Sequence, residues 1–92
     1  GRKATLLVED SNRMNITGCT ILDCDGVGID LKTVTHSRVS DCLIRDDREG
    51  RSEAVSLRVA GGRGNMIVNN LLGGRSEIEA QAAQASGNVQ SP

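Results

Sequence analysis

Few side chains in this chain could do chemistry, and they are scattered. Cys19, Cys24 and Cys42 supply three thiols. An odd count argues against a disulfide framework, and no CxxC or Cys/His spacing of a zinc site is written, so no metal site is expected. His36 is the single histidine and sits in "TVTHSR". With Ser37 and Ser40 nearby it could act as a base toward a hydroxyl. Such a base needs an orienting partner, and nothing has the form of a nucleophile elbow. The expectation is a solvent-exposed histidine in a turn. Lys32, Arg45 and Arg58 could together hold an anionic glycan. Asn15-Ile16-Thr17 fits the glycosylation acceptor, which matters only in a eukaryotic secreted protein.

The elements that would position these groups are constrained by composition. The chain has 92 residues, 37% of them apolar, with no Phe, Tyr or Trp, 11 glycines and one proline. A core without aromatics is built from Leu, Ile and Val, which stack well in sheets. A domain this small with so few large side chains is marginal as a lone globule. Repetition, a partner or the rest of a longer protein has to share the burden. The opening Gly1-Arg2-Lys3, without Met, reads as a piece cut from such a protein. Net charge is −1, with 11 basic and 12 acidic residues interspersed, so no basic block points to nucleic acid. No apolar run reaches the length of a membrane span.

Repetition is visible. "NITGCTILDC" from Asn15, "SRVSDCLIRDD" from Ser37 and "NMIVNNLLGG" from Asn65 align at Ile16, Val39 and Ile67. The spacing is 23, then 28 residues. Apolar-x-apolar triplets at Leu6-Leu7-Val8, Ile29-Asp30-Leu31 and Val55-Ser56-Leu57 accompany them. Each period then holds three short strands with period-2 alternation. They fall at 6–8, 29–31 and 55–57; at 14–17, 37–40 and 65–68; and at 20–22, 43–45 and 71–73. The extra residues of the last coil are assigned to two loops, "DDREGRSE" from Asp46 and "AGGRG" from Ala60. Stacking successive coils about 4.8 Å apart pairs every strand with its equivalent. The expected fold is all-β: a parallel β-helix, or solenoid, of about three coils over 1–74. Residues 75–92 form a polar tail or cap. There Ser76-Glu77-Ile78-Glu79 has the form of a capping box, and a short helix over 77–85 is the preferred reading. Disorder, or a weak fourth strand using Ala80 and Ala82, are the alternatives.

Two columns mark the bend between second and third strands. Gly18, Asp41 and Asn69 are residue types that accept a left-handed backbone. Cys19, Cys42 and Asn70 form an inward ladder of small polar residues, in which Asn70 can bond backbone groups and the thiols fill the same slot. Cys19 and Cys42 are expected to be spatial neighbours that remain thiols.

The phrases "MNITGCTILDCDGVGIDL", "SRVSDCLIRDD" and "GNMIVNNLLGG" resemble the right-handed parallel β-helix repeat of the pectate-lyase-like superfamily over about residues 5–74. That family stacks asparagines at the bend; only Asn70 keeps that identity, and Cys19 and Cys42 depart from it. The resemblance implies that a site would lie on the outer face of the first strands. With Leu6, Val8, Ile29, Leu31, Val55 and Leu57 inward, the outer columns are Leu7–Asp30–Ser56 and Glu9–Lys32–Arg58. A lyase of that kind uses carboxylates to hold calcium and a basic residue to take a proton. Asp30, Lys32 and Arg58 are the weak catalytic candidates, with Asp46 and Asp47 from the loop. An ordinary solvated face with opposite charges stacked between rungs is the favoured alternative. Calcium enters only under the lyase reading; otherwise no cofactor is expected. "GGRGN" from Gly61 shares the opening of a calcium-binding nonapeptide but lacks its Asp, and reads as a loop.

Leu22, Leu43, Leu71, Met66 and Val68 are expected outward, an apolar surface suited to association. The open strand edges at both ends invite pairing. The functional expectation is therefore a structural, self-associating segment of a larger, carbohydrate-related protein, secreted or at the cell surface. Its partner is itself, as a dimer, or the remainder of its parent chain, with polysaccharide a further possibility. The segment alone is not expected to be catalytic. The alternative is a fragment of a polysaccharide lyase or glycoside hydrolase acting on acidic polysaccharide.

Overall fold

A computed structural model of the chain describes residues 4–22, 27–45, 55–73 and 75–90. The described residues form strands and bends with no helix. The first winding is β1 (Ala4–Glu9), β2 (Asn15–Thr17) and β3 (Thr20–Leu22). The second is β4 (Val27–Lys32), β5 (Arg38–Ser40) and β6 (Leu43–Arg45), and the third β7 (Val55–Ala60), β8 (Asn65–Val68) and β9 (Leu71–Leu72). Then come β10 (Arg75–Ile78), β11 (Ala83–Ser86) and β12 (Val89–Gln90). Three parallel sheets result, ordered β1-β4-β7-β10, β2-β5-β8-β11 and β3-β6-β9-β12. This is a parallel β-helix.

Like residues lie on like. Ile16 pairs with Val39 and Val39 with Ile67; Ile21 pairs with Ile44 and Ile44 with Leu72. Leu6, Ile29 and Leu57 make a third column, and Val8, Leu31 and Val59 a fourth. Their side chains meet in one apolar core with Val34 and Cys42. Burying one such Leu, Ile or Val stabilises the fold by about 1.5–3 kcal/mol.

The register corrects one sequence expectation. Ile29 pairs with Leu57, not Val55, and Asp30 pairs with Arg58, not Ser56. The spacing from the second to the third winding is thus 28 throughout, because Thr35 bridges Arg63 and Val39 pairs with Ile67 at the same offset. "AGGRG" carries no insertion; it aligns with Lys32–His36. All the extra length falls within 46–54, which lies outside the described residues. Alternation alone could not reveal the slip, since a shift of two preserves every inside and outside assignment.

The bends are held by backbone conformation and by polar ladders. Gly18, Asp41, Asn69 and Gly87 all take positive φ, between 56 and 69°. The first bend has two such columns, Asp10–Thr33–Gly61 and Arg13–His36–Gly64. Thr33 and His36 accept a conformation that costs most side chains about 1–2 kcal/mol. They are held there by interstrand bonds: Thr33 N–H donates to Ala60 O at 2.9 Å, and His36 N–H to Arg63 O at 3.0 Å. Gly62 is required for a second reason, since any Cβ there would run into the Val34 backbone.

Inside each bend a side chain closes the backbone of the rung before it. Cys42 N–H donates to Asn70 Oδ1 at 2.9 Å, and Asn70 N–H to Asn88 Oδ1 at 3.0 Å. Asn70 Nδ2 reaches Val39 O at 3.2 Å and Asn88 Nδ2 reaches Ile67 O at 2.8 Å. The first bend repeats the design. Met14 N–H donates to Ser37 Oγ at 2.8 Å and Ser37 N–H to Asn65 Oδ1 at 3.0 Å. Asn65 Nδ2 donates to Val34 O and Ala82 O at 2.7 and 2.9 Å. Buried backbone groups that no strand can pair are satisfied this way.

The expected helix over 77–85 does not form. β10, β11 and β12 continue the three sheets, with Ser76 opposite Leu57 and Ala85 opposite Ile67. Helix propensity offers Ala, Gln and Glu a few tenths of a kcal/mol each, and so short a helix is marginal alone. The open edges of β7, β8 and β9 offer a full set of backbone partners instead. Glu79, the last residue of the expected capping box, uses its Oε1 to accept from Gly61 N–H at 2.8 Å.

Asn65→Ala would leave the buried Ser37 N–H and the Val34 carbonyl without their side-chain partner, while Ala82 O keeps the Asn65 backbone N–H, so it should lower unfolding free energy by about 2–4 kcal/mol. Asn12→Ala, which removes one exposed bond to Thr35 Oγ1, should cost under about 1 kcal/mol. Urea unfolding of both variants checks the difference; equal midpoints would show that the ladder contributes nothing special.

Candidate functional site

The outer face of the first sheet carries Asp30, Lys32 and Arg58. Asp30 and Lys32 are two residues apart on β4, so their side chains leave the same face. Arg58 is directly across from Asp30 on β7, and Lys32 faces Ala60. The column is Leu7–Asp30–Arg58–Glu77. Asp30 and Ser56, expected in solvent, are both 3% exposed. Lys32 is exposed and Arg58 half-buried. Asp30 Oδ1 has no hydrogen-bond partner, which is costly for a buried carboxylate oxygen. Asp46 and Asp47 lie outside the described residues. Among the described residues no three of His, Cys, Asp and Glu converge as metal ligands.

His36 is exposed in the first bend. Its neighbours are committed elsewhere: Ser37 Oγ donates to Thr35 O at 3.0 Å, and Ser40 Oγ to Thr17 Oγ1 at 3.2 Å. Asn15 is exposed on β2. Arg45 is half-buried on the third sheet, away from Lys32 and Arg58. A hollow of about 350 Å³ between β7 and β10 is lined by Arg58, Glu77 and Glu79 among others.

The five outward apolar residues divide between two sheets. Leu43 pairs with Leu71 and Leu71 with Val89, a stripe on the third sheet whose first-winding member is Thr20; the exposed Leu22 lies two residues along β3, opposite Arg45. Met66 is exposed on the second sheet between Arg38 and Gln84, and Val68 between Ser40 and Ser86. Val89 is absent from the expected surface because it falls in the segment 75–92, which the sequence reads as a polar tail or cap. The Ser37–Asn65 ladder was also missed, although the 28-residue spacing that aligns Val39 with Ile67 aligns these two as well.

Cys19 and Cys42 are free thiols on adjacent rungs, Cys19 half-buried and Cys42 buried; Cys24 lies outside the described residues. Cys42 Sγ donates to Ser40 O at 3.4 Å and Ile16 O at 3.9 Å, so it occupies the place that Asn70 Nδ2 takes one winding later. Burial pushes the Cys42 thiol above its ordinary value, against an opposing hydrogen bond from the Cys19 backbone. An unfolded Cys42 ionises before the folded one. The native state therefore loses stability as pH rises through about 9, the ordinary thiol value. Urea midpoints taken from pH 7 to 10 should fall less for Cys42→Ala than for the parent; parallel curves would show that this thiol does not carry the effect.

No curated protein matches this chain, and no solved structure does. The family model described as the right handed beta helix region matches residues 1–89, and the chain belongs to that family.

Proposed function

We propose that this chain is a structural, self-associating segment of a larger, extracellular protein that handles carbohydrate. The observation that supports it is the first winding. Among the described residues, β1, β2 and β3 are each paired on one side only. The inward side chains Val8, Ile16 and Ile21 keep 8–9% exposure, against 0–1% for their equivalents Leu31, Val39 and Ile44. An open strand edge over an incompletely covered apolar core is a template for another chain. The Leu43–Leu71–Val89 stripe adds apolar surface at the side. The carbohydrate and extracellular elements of the reading rest on the resemblance of the repeat to the pectate-lyase-like superfamily. Sedimentation velocity over a hundredfold range of concentration tests it. A shift from monomer toward larger species is expected; a monomer at the highest concentration would remove self-association.

A second reading is favoured by Asp30. Its unpartnered buried oxygen lies beside Arg58, with Lys32 on the same face, which suits a polar ligand such as an acidic polysaccharide. Under that reading the chain is a fragment of a polysaccharide lyase or glycoside hydrolase, and calcium would have to draw ligands from elsewhere. Incubation with acidic polysaccharides, with and without calcium, should release unsaturated or reducing ends. Asp30→Asn and Lys32→Ala should each reduce release at least tenfold. Full turnover in both variants would sink this site.

A further inference from the structure

We propose that the outer face of the second sheet, with the adjoining side of the first bend, binds a linear glycan carrying sulfate or carboxylate groups. This adds a ligand and its site to the carbohydrate-handling reading above; it depends neither on self-association nor on Asp30.

The face is built from stacked columns. Asn12, Thr35 and Arg63 bridge in register at the bend. Asn15, Arg38, Met66 and Gln84 form one column across β2, β5, β8 and β11, and Thr17, Ser40, Val68 and Ser86 another, although Ser40 is buried. Arg13, His36 and Gly64 stand between, sharing the left-handed backbone of the bend. The spans 12–17, 35–40, 63–68 and 81–86 hold no Asp, Glu or Lys, in a chain with 12 acidic residues. Their charged side chains are Arg13, Arg38 and Arg63, with His36 among them, and all four are exposed. Among the described residues no carboxylate pairs with any of the three guanidinium groups. Asp30 and Glu77 belong to the first sheet, and Asp10 and Asp41 to other bend columns. The sequence has no basic block; three windings bring these side chains to one surface.

The spacing suits a charged chain laid along the stacking axis. Arg13 stands on the first winding, His36 and Arg38 on the second and Arg63 on the third, so basic groups recur at each step of about 4.8 Å. The His36 ring lies against Gly64, where a Cβ would come within 2.9 Å of it. Glycine there lets the imidazole settle on the next winding. A guanidinium presents a planar fork of donors that matches the paired oxygens of an anionic group. The exposed amides of Asn12, Asn15 and Gln84 and the hydroxyl of Thr17 flank the cations. Amides and hydroxyls both donate and accept, which is what the hydroxyls of a sugar require. A hollow of about 510 Å³, lined by Gly64, Met66, Gln81 and Gln84 among others, gives the face relief.

Other occupants fit less well. The face covers roughly 20 Å by 14 Å, well short of the roughly 800 Å² per partner that a specific protein interface takes. A slender chain fits it and a globular domain does not. The same face of a second copy would set arginines against arginines. An extended peptide binds by adding to a sheet edge, whereas this surface offers side chains. Single-stranded nucleic acid relies on aromatic platforms, and the chain has no aromatic residue. Recognition of a sugar polymer here rests on charge and hydrogen bonds alone. The centre of the face, on β5 and β8, is paired on both sides, so the site runs along the flank of the stack and does not use its ends.

Binding of the chain to immobilised dextran sulfate and to an immobilised polyuronate tests this, with neutral dextran, polyglutamate and single-stranded DNA alongside. Binding to at least one of the first two is expected, weakening as salt rises; the tighter of the two identifies the charged group. Arg38→Gln should weaken binding at least fivefold, and Arg38→Gln/Arg63→Gln further, with the melting transition unchanged because both side chains are exposed. Arg75→Gln removes one exposed charge outside this face and should change binding less than twofold. No binding to either charged polymer, an equal loss in Arg75→Gln and Arg38→Gln, or equal binding of neutral dextran would overturn the site. Polyglutamate or DNA held as tightly as the glycans would overturn the choice of ligand. Binding without release of sugar ends leaves this site standing while the lyase reading fails. A monomer that binds leaves it standing while self-association fails.

Discussion

The fold depends on one constraint: each winding must return to a position one strand spacing above the last, with every bend repeating its own geometry. A β-helix has no other way to pair its strands, because each is too short to persist alone. The left-handed columns at the bends are where that constraint bears hardest. Gly18, Asp41, Asn69 and Gly87 hold one corner across four windings. Different residue types accept the same backbone there because the hydrogen bonds above and below leave them no choice. Thr33 and His36 show the strength of this: their local preference is overruled by bonds to Ala60 and Arg63.

That constraint explains what sequence could and could not reveal. Inward columns were legible because Ile16, Val39 and Ile67 recur in equivalent phrases, and a buried position tolerates little but Ile, Leu or Val. The bend column was legible because few residue types accept it. The partner of Ile29 was not, since Val55, Leu57 and Val59 all lie on one strand at period 2, and alternation scores Val55 and Leu57 equally. Hydrogen-bond register decides between them, and it is set by Thr35–Arg63 and Val39–Ile67 farther along the coil. The observed register moves Arg58 from beside Lys32 to beside Asp30 and so changes the character of the outer face.

The last winding was misread for a different reason. Ser76 to Ala85 is rich in helix formers, and local propensity was the only signal available within it. What decides its structure is an edge contributed by residues 18 to 20 positions earlier. Asn88 gives a hint in retrospect: it stands 18 residues after Asn70, and its side chain closes Asn70 N–H as Asn70 closes Cys42. A single asparagine in a polar tail carries no such message until the winding beneath it is known.

Taken along the axis, the two ladders change character in step with the core. At the bend the sequence runs Cys19, Cys42, Asn70, Asn88, from thiols to amides. The inward columns run from Leu6 and Ile16 to Ser76 and Ala85. A thiol donates one weak bond and accepts poorly, whereas an amide donates and accepts at once. Asn88 stands where the core tapers, while Asn70 sits between Ile67 and Leu72, both buried. Thiols suffice where large aliphatic side chains stack on both sides, as at Cys42 between Val39 and Ile44. The described stack is thus directional in its composition: large aliphatic columns line its first winding and smaller, more polar residues its last.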